Sequence, residues 1–380
     1  MAGVRRVFIV AGEASGDKLG KAVMSGLKSL LPDVEFAGVG GPLMEAEGLA
    51  SIFPMNELSV MGLAEVLPKY RALLRRKDET VTAALAFEPD ILLTIDSPDF
   101  CKRVAKDVRA ANPAIRTIHY VAPSVWAWRP KRAAKLAEFT DKVLTLLPFE
   151  PDLMQAAGME AEFVGHPVVA EPEATSADVA AFRNAHGLDD GPLLLLLPGS
   201  RMGEVKRLSA RFGAAARAVL AERSQMRAVV VVADAVRGFI AENQDLFPQG
   251  TVFLSPRDAT EKRAAFAAAD VALAASGTVS LELAAAKTPM VIGYDMAWLS
   301  RVIMARMLLI DTVTLVNLVS ETRAVPERIG KNCTAQALAE AVLDVLRAPD
   351  EQAAAMLVTM ERLGRGGEDP GLRAAKALLN

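Results

Sequence analysis

Chemistry-bearing residues in this chain of 380 residues concentrate in four short stretches, each directly after an apolar run. Pro198-Gly199-Ser200-Arg201 follows Leu193–Leu197 and sets a glycine turn, a hydroxyl and a guanidinium at one helix start. That combination suits phosphate: arginine grips it bidentately, and the helix start adds free N–H groups and partial positive charge. Ser276-Gly277-Thr278 follows Val271–Ala275 and offers a second such start. Glu282 lies four residues beyond Thr278 on the same helix face, where it can accept from ribose hydroxyls or pair a nearby base. Two anion-accepting loops in one half of the chain favour a nucleoside diphosphate over an arginine on a solvated face. Asp96 and Asp99, in Ile95-Asp96-Ser97-Pro98-Asp99-Phe100, end another run, Ile91–Ile95. One could serve as a general base, or both could shape the turn around Pro98. The fourth stretch, Gly12-Glu13-Ala14-Ser15-Gly16-Asp17, follows Val7–Ala11. It reads as a sugar- or anion-binding loop, or as a plain turn capped by Ser15 or Asp17.

Other chemistries are excluded or weak. Glycines at 12, 16 and 20 do not make G-x-G-x-x-G, which argues against a nicotinamide-dependent oxidoreductase, and Gly20-Lys21 precedes Ala22, so no Walker A loop forms. No Asp-x-Asp pair and no His/Cys/Asp spacing of metal-ligand type occurs; neither metal nor cofactor is expected. Cys101 and Cys333 match no disulfide framework, and a reducing cytoplasm is the default. His119 sits inside an apolar run as a core histidine, His166 ends a run near the junction of the halves, and His186 reads as surface. Trp126 and Trp128 could present a platform to sugar or acyl groups, or pack a loop onto the core. With 43 basic against 46 acidic residues and 5% aromatics, a nucleic-acid binder is not expected.

Parallel strands with covering helices must position these loops. The first half carries apolar runs at Val7–Ala11, Glu35–Val39, Ile91–Ile95, Ile115–Val121, Lys142–Leu147 and Ala161–Val164. The second carries Leu193–Leu197, Ala228–Ala233, Thr251–Leu254, Val271–Ala275 and Met290–Tyr294. Most lack polar alternation, as strands buried on both faces do, and mixed stretches of helical period separate them. The expected fold is α/β: two tandem Rossmann-like, doubly wound domains, 1–168 and 191–346, with a linker carrying one short helix at 169–190 and helices over 347–380. Ligands would lie at the carboxyl ends of the strands, in a cleft between the domains. The longest charge-free run, Thr117–Trp128, has twelve residues, and a spanning helix needs roughly 20. Val60–Leu74, with Val66, Leu67 and Leu74, places apolar residues at near-helical spacing, interleaved and followed by basic ones such as Arg71 and Arg75. It reads as a core-facing helix with a solvated basic side, or as a surface for anionic lipid.

Taken together, GEASGD at 12–17, IDSPDF at 95–100, YVAPSVWAWR at 120–129, LPFE at 147–150, FVGHP at 163–167, LLPGSR at 196–201, ASGTxxLE at 275–282 and PMVIGY at 289–294 resemble one family, lipid-A-disaccharide synthase. The resemblance covers nearly the whole chain. It implies a GT-B fold whose two domains face across a cleft, with the helices of 347–380 returning to the first. It implies inverting, metal-independent transfer of 2,3-diacylglucosamine from UDP-2,3-diacylglucosamine to 2,3-diacylglucosamine 1-phosphate. By that resemblance UDP would be held by Gly199, Ser200, Arg201, Ser276, Gly277, Thr278, Glu282 and Asn317. Asn317 lies in a segment where Val316 replaces the family's proline. Asp99 would be the base, Arg201 would also stabilise the leaving group, and Gly12, Glu13, Ser15, Gly16, Asp17 and Asp96 would shape the sugar site. Family members are peripheral on the cytoplasmic face of the inner membrane, which raises the lipid-surface reading of Val60–Lys77, with a break or kink expected at Pro68. A homodimer is compatible. The rivals are another GT-B enzyme of UDP-sugars, such as a UDP-N-acetylglucosamine 2-epimerase, and a non-catalytic lipid or nucleotide-sugar binder.

Overall fold

The computed structural model describes residues 4–58, 63–256, 258–296 and 307–380, and only the backbone over 63–69. The chain divides into two compact units, residues 1–170 with 366–380, and residues 171–365.

In the first unit, β1 (Arg6–Ala11), β2 (Glu35–Val39), β3 (Ile91–Ile95), β4 (Arg116–Tyr120), β5 (Lys142–Thr145) and β6 (Glu160–Phe163) form one parallel sheet in the order β2-β1-β3-β4-β5-β6. β3 is buried along its whole length, as is β1 from Val7 onward, which explains their unbroken apolar character. Strand order reverses between β1 and β3, so the loops after these two strands open at one crevice. Helix α1 (Ala14–Leu30) leaves the first loop, α2 (Pro42–Ala46) follows β2, α3 (Leu63–Phe87) precedes β3, α4 (Pro98–Ala111) leaves β3, and α5 (Lys131–Ala137) follows β4. α3 runs on through Pro68 rather than ending there.

The second unit repeats the plan with β7 (Leu193–Leu197), β8 (Arg227–Val231), β9 (Val252–Leu254), β10 (Val271–Ala275), β11 (Met290–Tyr294) and β12 (Glu327–Ile329) in the parallel order β12-β11-β10-β7-β8-β9. Here the reversal falls between β7 and β10, the strands that precede the two phosphate-type loops. β12 has no counterpart in the expected strands: three half-buried residues at a sheet edge, two of them charged, carry no apolar signal.

Two boundaries differ from expectation. Helix Ser176–Ala185, inside the expected linker, starts with a Thr175/Asp178 capping box and packs on helix Ala259–Ala267 of the second unit. Of the two helices within 347–380, Asp350–Arg362 belongs to the second unit, where the Gln352 amide bonds both backbone groups of Met290. Pro370–Leu379 alone joins the first unit, packing along α1, with Lys142 Nζ donating to the Ala377 carbonyl (2.7 Å) and Arg373 to that of Phe163 (2.6 Å).

Candidate functional site

In the second unit the loops after β7 and β10 line a common cavity of about 620 Å³ together with Glu204, Asp258, Lys262 and Glu282. The turn at Gly199 has φ +112°, a conformation that calls for glycine. The chain then enters helix Met202–Glu222 with Arg201 at its N-cap. No side chain caps that start, which leaves first-turn N–H groups for a ligand. Arg201 is 66% exposed and 3.2 Å from Glu204 Oε1, a surface pair that an anion can displace at little cost. Ser276 Oγ donates to the Val313 carbonyl (3.4 Å), and Thr278 leads into helix Val279–Ala285. Glu282 is ion-paired with Lys262, a cation the motifs did not single out because it comes from the helix after β9. Beside the acids Glu204, Asp234 and Asp258, the cavity offers two cations, backbone donors and the Glu282 carboxylate, a set that fits a nucleoside diphosphate with its ribose.

Asn317 departs from expectation. Its side chain is buried, donating to the Val325 carbonyl (2.9 Å) and Thr312 Oγ1 (3.2 Å) and accepting from the Val325 N–H (2.9 Å). The amide pins the turn before β12 and does not line the cavity.

In the first unit the crevice loops lock together. Asp96 and Ser97 take left-handed φ of 50° and 42°, strained for residues other than glycine. The turn fits because Gly12 opposite lacks a side chain: a Cβ there would lie 2.3 Å from Ser97 Oγ. Ser15 Oγ donates to Asp96 Oδ2 (3.2 Å), tying the loop after β1 to the loop after β3. Asp99 follows in the first turn of α4, exposed, at the shared edge of two cavities of about 490 and 360 Å³. Glu13 lines the smaller one, and Gly16 is buried beside Ala11. Asp17 differs from its expected place at the sugar: its buried carboxylate accepts the N–H groups of Gly41, Leu43 and Met44 (each 3.0 Å) and so caps α2.

The remaining candidates sort by their contacts. His119 is buried, its Nδ1 2.8 Å from Thr94 Oγ1, and burial lowers its pKa to about 4, so the ring is neutral at pH 7. His166 Nδ1 accepts from the Val168 N–H (3.2 Å) and is lowered by burial in the same sense. Trp126 is a packing residue: its ring meets Phe149 edge-on at 5.5 Å, and its N–H donates to buried Glu150 (3.1 Å). Burial pushes the Glu150 carboxyl up to about 7, against the pull of three N–H donors. Trp128 lies under the guanidiniums of Arg129 and Arg132, 4.3 and 5.0 Å from its ring centre. Burial raises the Cys101 thiol far above its usual range, which makes it inert.

Of the membrane candidates, Val60 and Met61, and the side chains of Val66 and Leu67, lie outside the described residues. Arg71 and Arg75 are exposed, while Leu74 is half-buried in the wall of the smaller Asp99 cavity. Arg76 and Lys77 are held internally, by Glu57 and Glu79 and by Asp78 and Asp107. Among the described residues, no helix is long and apolar enough to cross a membrane, and no three His, Cys, Asp or Glu side chains group as metal ligands.

Residues 7–371 match the family model described as lipid-A-disaccharide synthetase. The lipid-A-disaccharide synthase of Ruegeria pomeroyi is 61% identical over 99% of this chain and 95% of its own length, and that of Rhodospirillum centenum 44% identical over 98% and 94%. Among solved structures, a putative UDP-N-acetylglucosamine 2-epimerase from Listeria monocytogenes superposes with TM-score 0.65 at 14% identity, covering 100% of this chain and 95% of that one. The UDP-GlcNAc 2-epimerase from Neisseria meningitidis bound to UDP-GlcNAc gives 0.63 at 10% identity, covering 99% and 98%. At such identities these structures establish the shared two-domain GT-B fold.

Proposed function

The chain belongs to the lipid-A-disaccharide synthase family, and from that premise we propose that its second unit holds the UDP of a diacylglucosamine donor while Asp99 activates the acceptor. The chain is a glycosyltransferase, and its substrates are a UDP-sugar and an acceptor. The donor is UDP-2,3-diacylglucosamine and the acceptor 2,3-diacylglucosamine 1-phosphate. The acceptor 6-hydroxyl attacks the anomeric carbon, its proton passes to the Asp99 carboxylate, and the bond from that carbon to the β-phosphate oxygen breaks as UDP departs. One in-line displacement inverts the anomeric centre. A positioned base of this kind contributes about 10²–10⁴-fold.

Charge growing on the β-phosphate falls to Arg201 and the backbone donors of 199–202 and 276–278. A charge-assisted hydrogen bond is worth about 1.5–3 kcal/mol, and a helix start about 0.3–1. Arg201 therefore matters more than either helix start, and the reaction runs without a metal. The single observation that carries this reading is the joining of Gly199–Arg201, Ser276–Thr278 and Glu282 around one cavity at the strand-order reversal. The exposed Arg71 and Arg75 support peripheral attachment to an anionic inner-membrane surface, on its cytoplasmic side. Mass spectrometry after mixing protein with the two monosaccharide lipids tests the function. A tetraacyl disaccharide phosphate with one UDP released per product is expected; UDP released without acceptor, or no disaccharide at all, contradicts it.

A further inference from the structure

The larger of the two cavities at Asp99 has a composition the donor site lacks. Its interior is apolar, formed by Ala105 of α4, Leu136 of α5 and Phe139, above the neutral His119–Thr94 pair. Five cations stand around it: Lys102, Arg129, Lys131, Arg132 and Lys135. None of the five forms an ion pair among the described residues, although neighbouring cations do: Arg109 bonds Asp141, and Lys77 bonds Asp107. Like charges gathered without partners repel, so this grouping is stabilised when an anion joins it.

The cluster is also built rather than scattered. The Trp128 ring holds the Arg129 and Arg132 guanidiniums together, and Arg129 itself takes a left-handed φ of 52°. A strained backbone persists where its surroundings fix it, as they do here. Thr140, 5% exposed, also lines this cavity. At about 490 Å³ the cavity falls in the range of small-molecule sites.

We propose that this cavity seats the acceptor lipid, with its phosphate monoester among the five cations and an acyl chain over Ala105, Leu136 and Phe139. The assignment rests on the function proposed above and adds to it where the acceptor's phosphate is read. It places that phosphate and the Asp99 carboxylate in the same cavity, so that binding one end of the acceptor delivers its hydroxyl to the base.

The test compares wild-type protein with Lys131→Glu/Lys135→Glu, which alters exposed side chains, and with Ala105→Trp, which fills the interior. For each, acceptor KM, donor KM, kcat and UDP affinity are measured, with circular dichroism to establish folding. Direct binding of 2,3-diacylglucosamine 1-phosphate is measured without donor, so the site is tested even if no disaccharide forms; that last result would count against the function instead. Loss of charge-assisted bonds predicts acceptor KM and Kd raised about tenfold to a hundredfold in the charge-reversal variant, with donor KM and UDP affinity unchanged. Wild-type protein should lose a similar factor toward the dephosphorylated acceptor, and the variant should lose little more. Sedimentation with phosphatidylglycerol vesicles separates a membrane-lipid site from an acceptor site. Equal vesicle binding by both proteins is expected. Acceptor binding within twofold of wild type in the folded charge-reversal variant, or loss of vesicle binding alone, overturns the proposal.

Discussion

The two units solve the same topological problem with different materials. Each is a six-stranded parallel sheet whose strand order reverses once, and in each the loops from the strands flanking that reversal come together. In the second unit those loops end in Gly, Ser, Thr and Arg, and the cavity between them has Arg201 at its rim and Lys262 and Glu282 paired at its wall. In the first the loops are strained and interlocked, Gly12 against Ser97 and Ser15 against Asp96. The open space lies to either side of Asp99, and its larger part has the more apolar interior. Topology thus fixes where a ligand goes, and the few residues after each strand decide which ligand. A nucleotide needs donors and cations, whereas a lipid acceptor needs apolar volume and one well-placed carboxylate.

Substitutions that hit one unit and spare the other sharpen the contrast. The largest effect is expected from Asp99→Asn, which should lower kcat about 10²–10⁴-fold and leave UDP affinity intact. Asp96→Asn, which weakens only the tie to Ser15, should cost distinctly less; equal mild losses in steady-state kinetics would remove the base role. Next, Gly12→Ala and Gly199→Ala form a matched pair. The first drives a methyl into Ser97 and should lower kcat without changing UDP binding, and the second distorts the phosphate turn and should weaken UDP binding. Strain of this kind costs on the order of 1–3 kcal/mol, so calorimetric titration with UDP should resolve the two.

A smaller effect concerns stability. Buried His119 keeps its pKa near 4, below the unfolded value of about 6.5. The unfolded chain therefore binds the extra proton first, and stability is lost as pH falls from about 6.5 toward 4, by about 3 kcal/mol at most. No buried histidine occurs among the described residues of the second unit. Buried His166 and Glu150 titrate alike in both proteins, so between pH 7 and 4.5 the Tm of the wild type should fall relative to that of His119→Gln. The smallest effect is none: EDTA should leave turnover unchanged, and inhibition reversed by magnesium would point to a metal on the diphosphate.

Much of this was legible before any coordinates. Strands buried on both faces announce themselves as short apolar runs, and β3, β7, β10 and β11 fall where those runs fall. The post-strand loops were legible for the same reason, since glycine, hydroxyl and charge directly after such a run have few structural uses. What escaped notice depends on distant partners. Asp17 looks like a loop acid until α2 arrives with three N–H groups for it, and Asn317 looks like a ligand until the Val325 turn folds over it. Lys262 and four of the five cations lie on helices whose sequence shows only a charged face, and Arg129 stands in the loop before α5. Of the two outcomes expected at Pro68, a kink or a pair of short helices, the pair did not form: one helix runs from Leu63 to Phe87.

The division of labour between the units is tested most directly by titrating UDP into Arg201→Ala and Asp99→Asn side by side. The predicted result is a UDP Kd raised about tenfold or more in Arg201→Ala, and a wild-type Kd in Asp99→Asn despite its lost turnover. Wild-type UDP affinity in a folded Arg201→Ala protein, or affinity lost in Asp99→Asn, would contradict it.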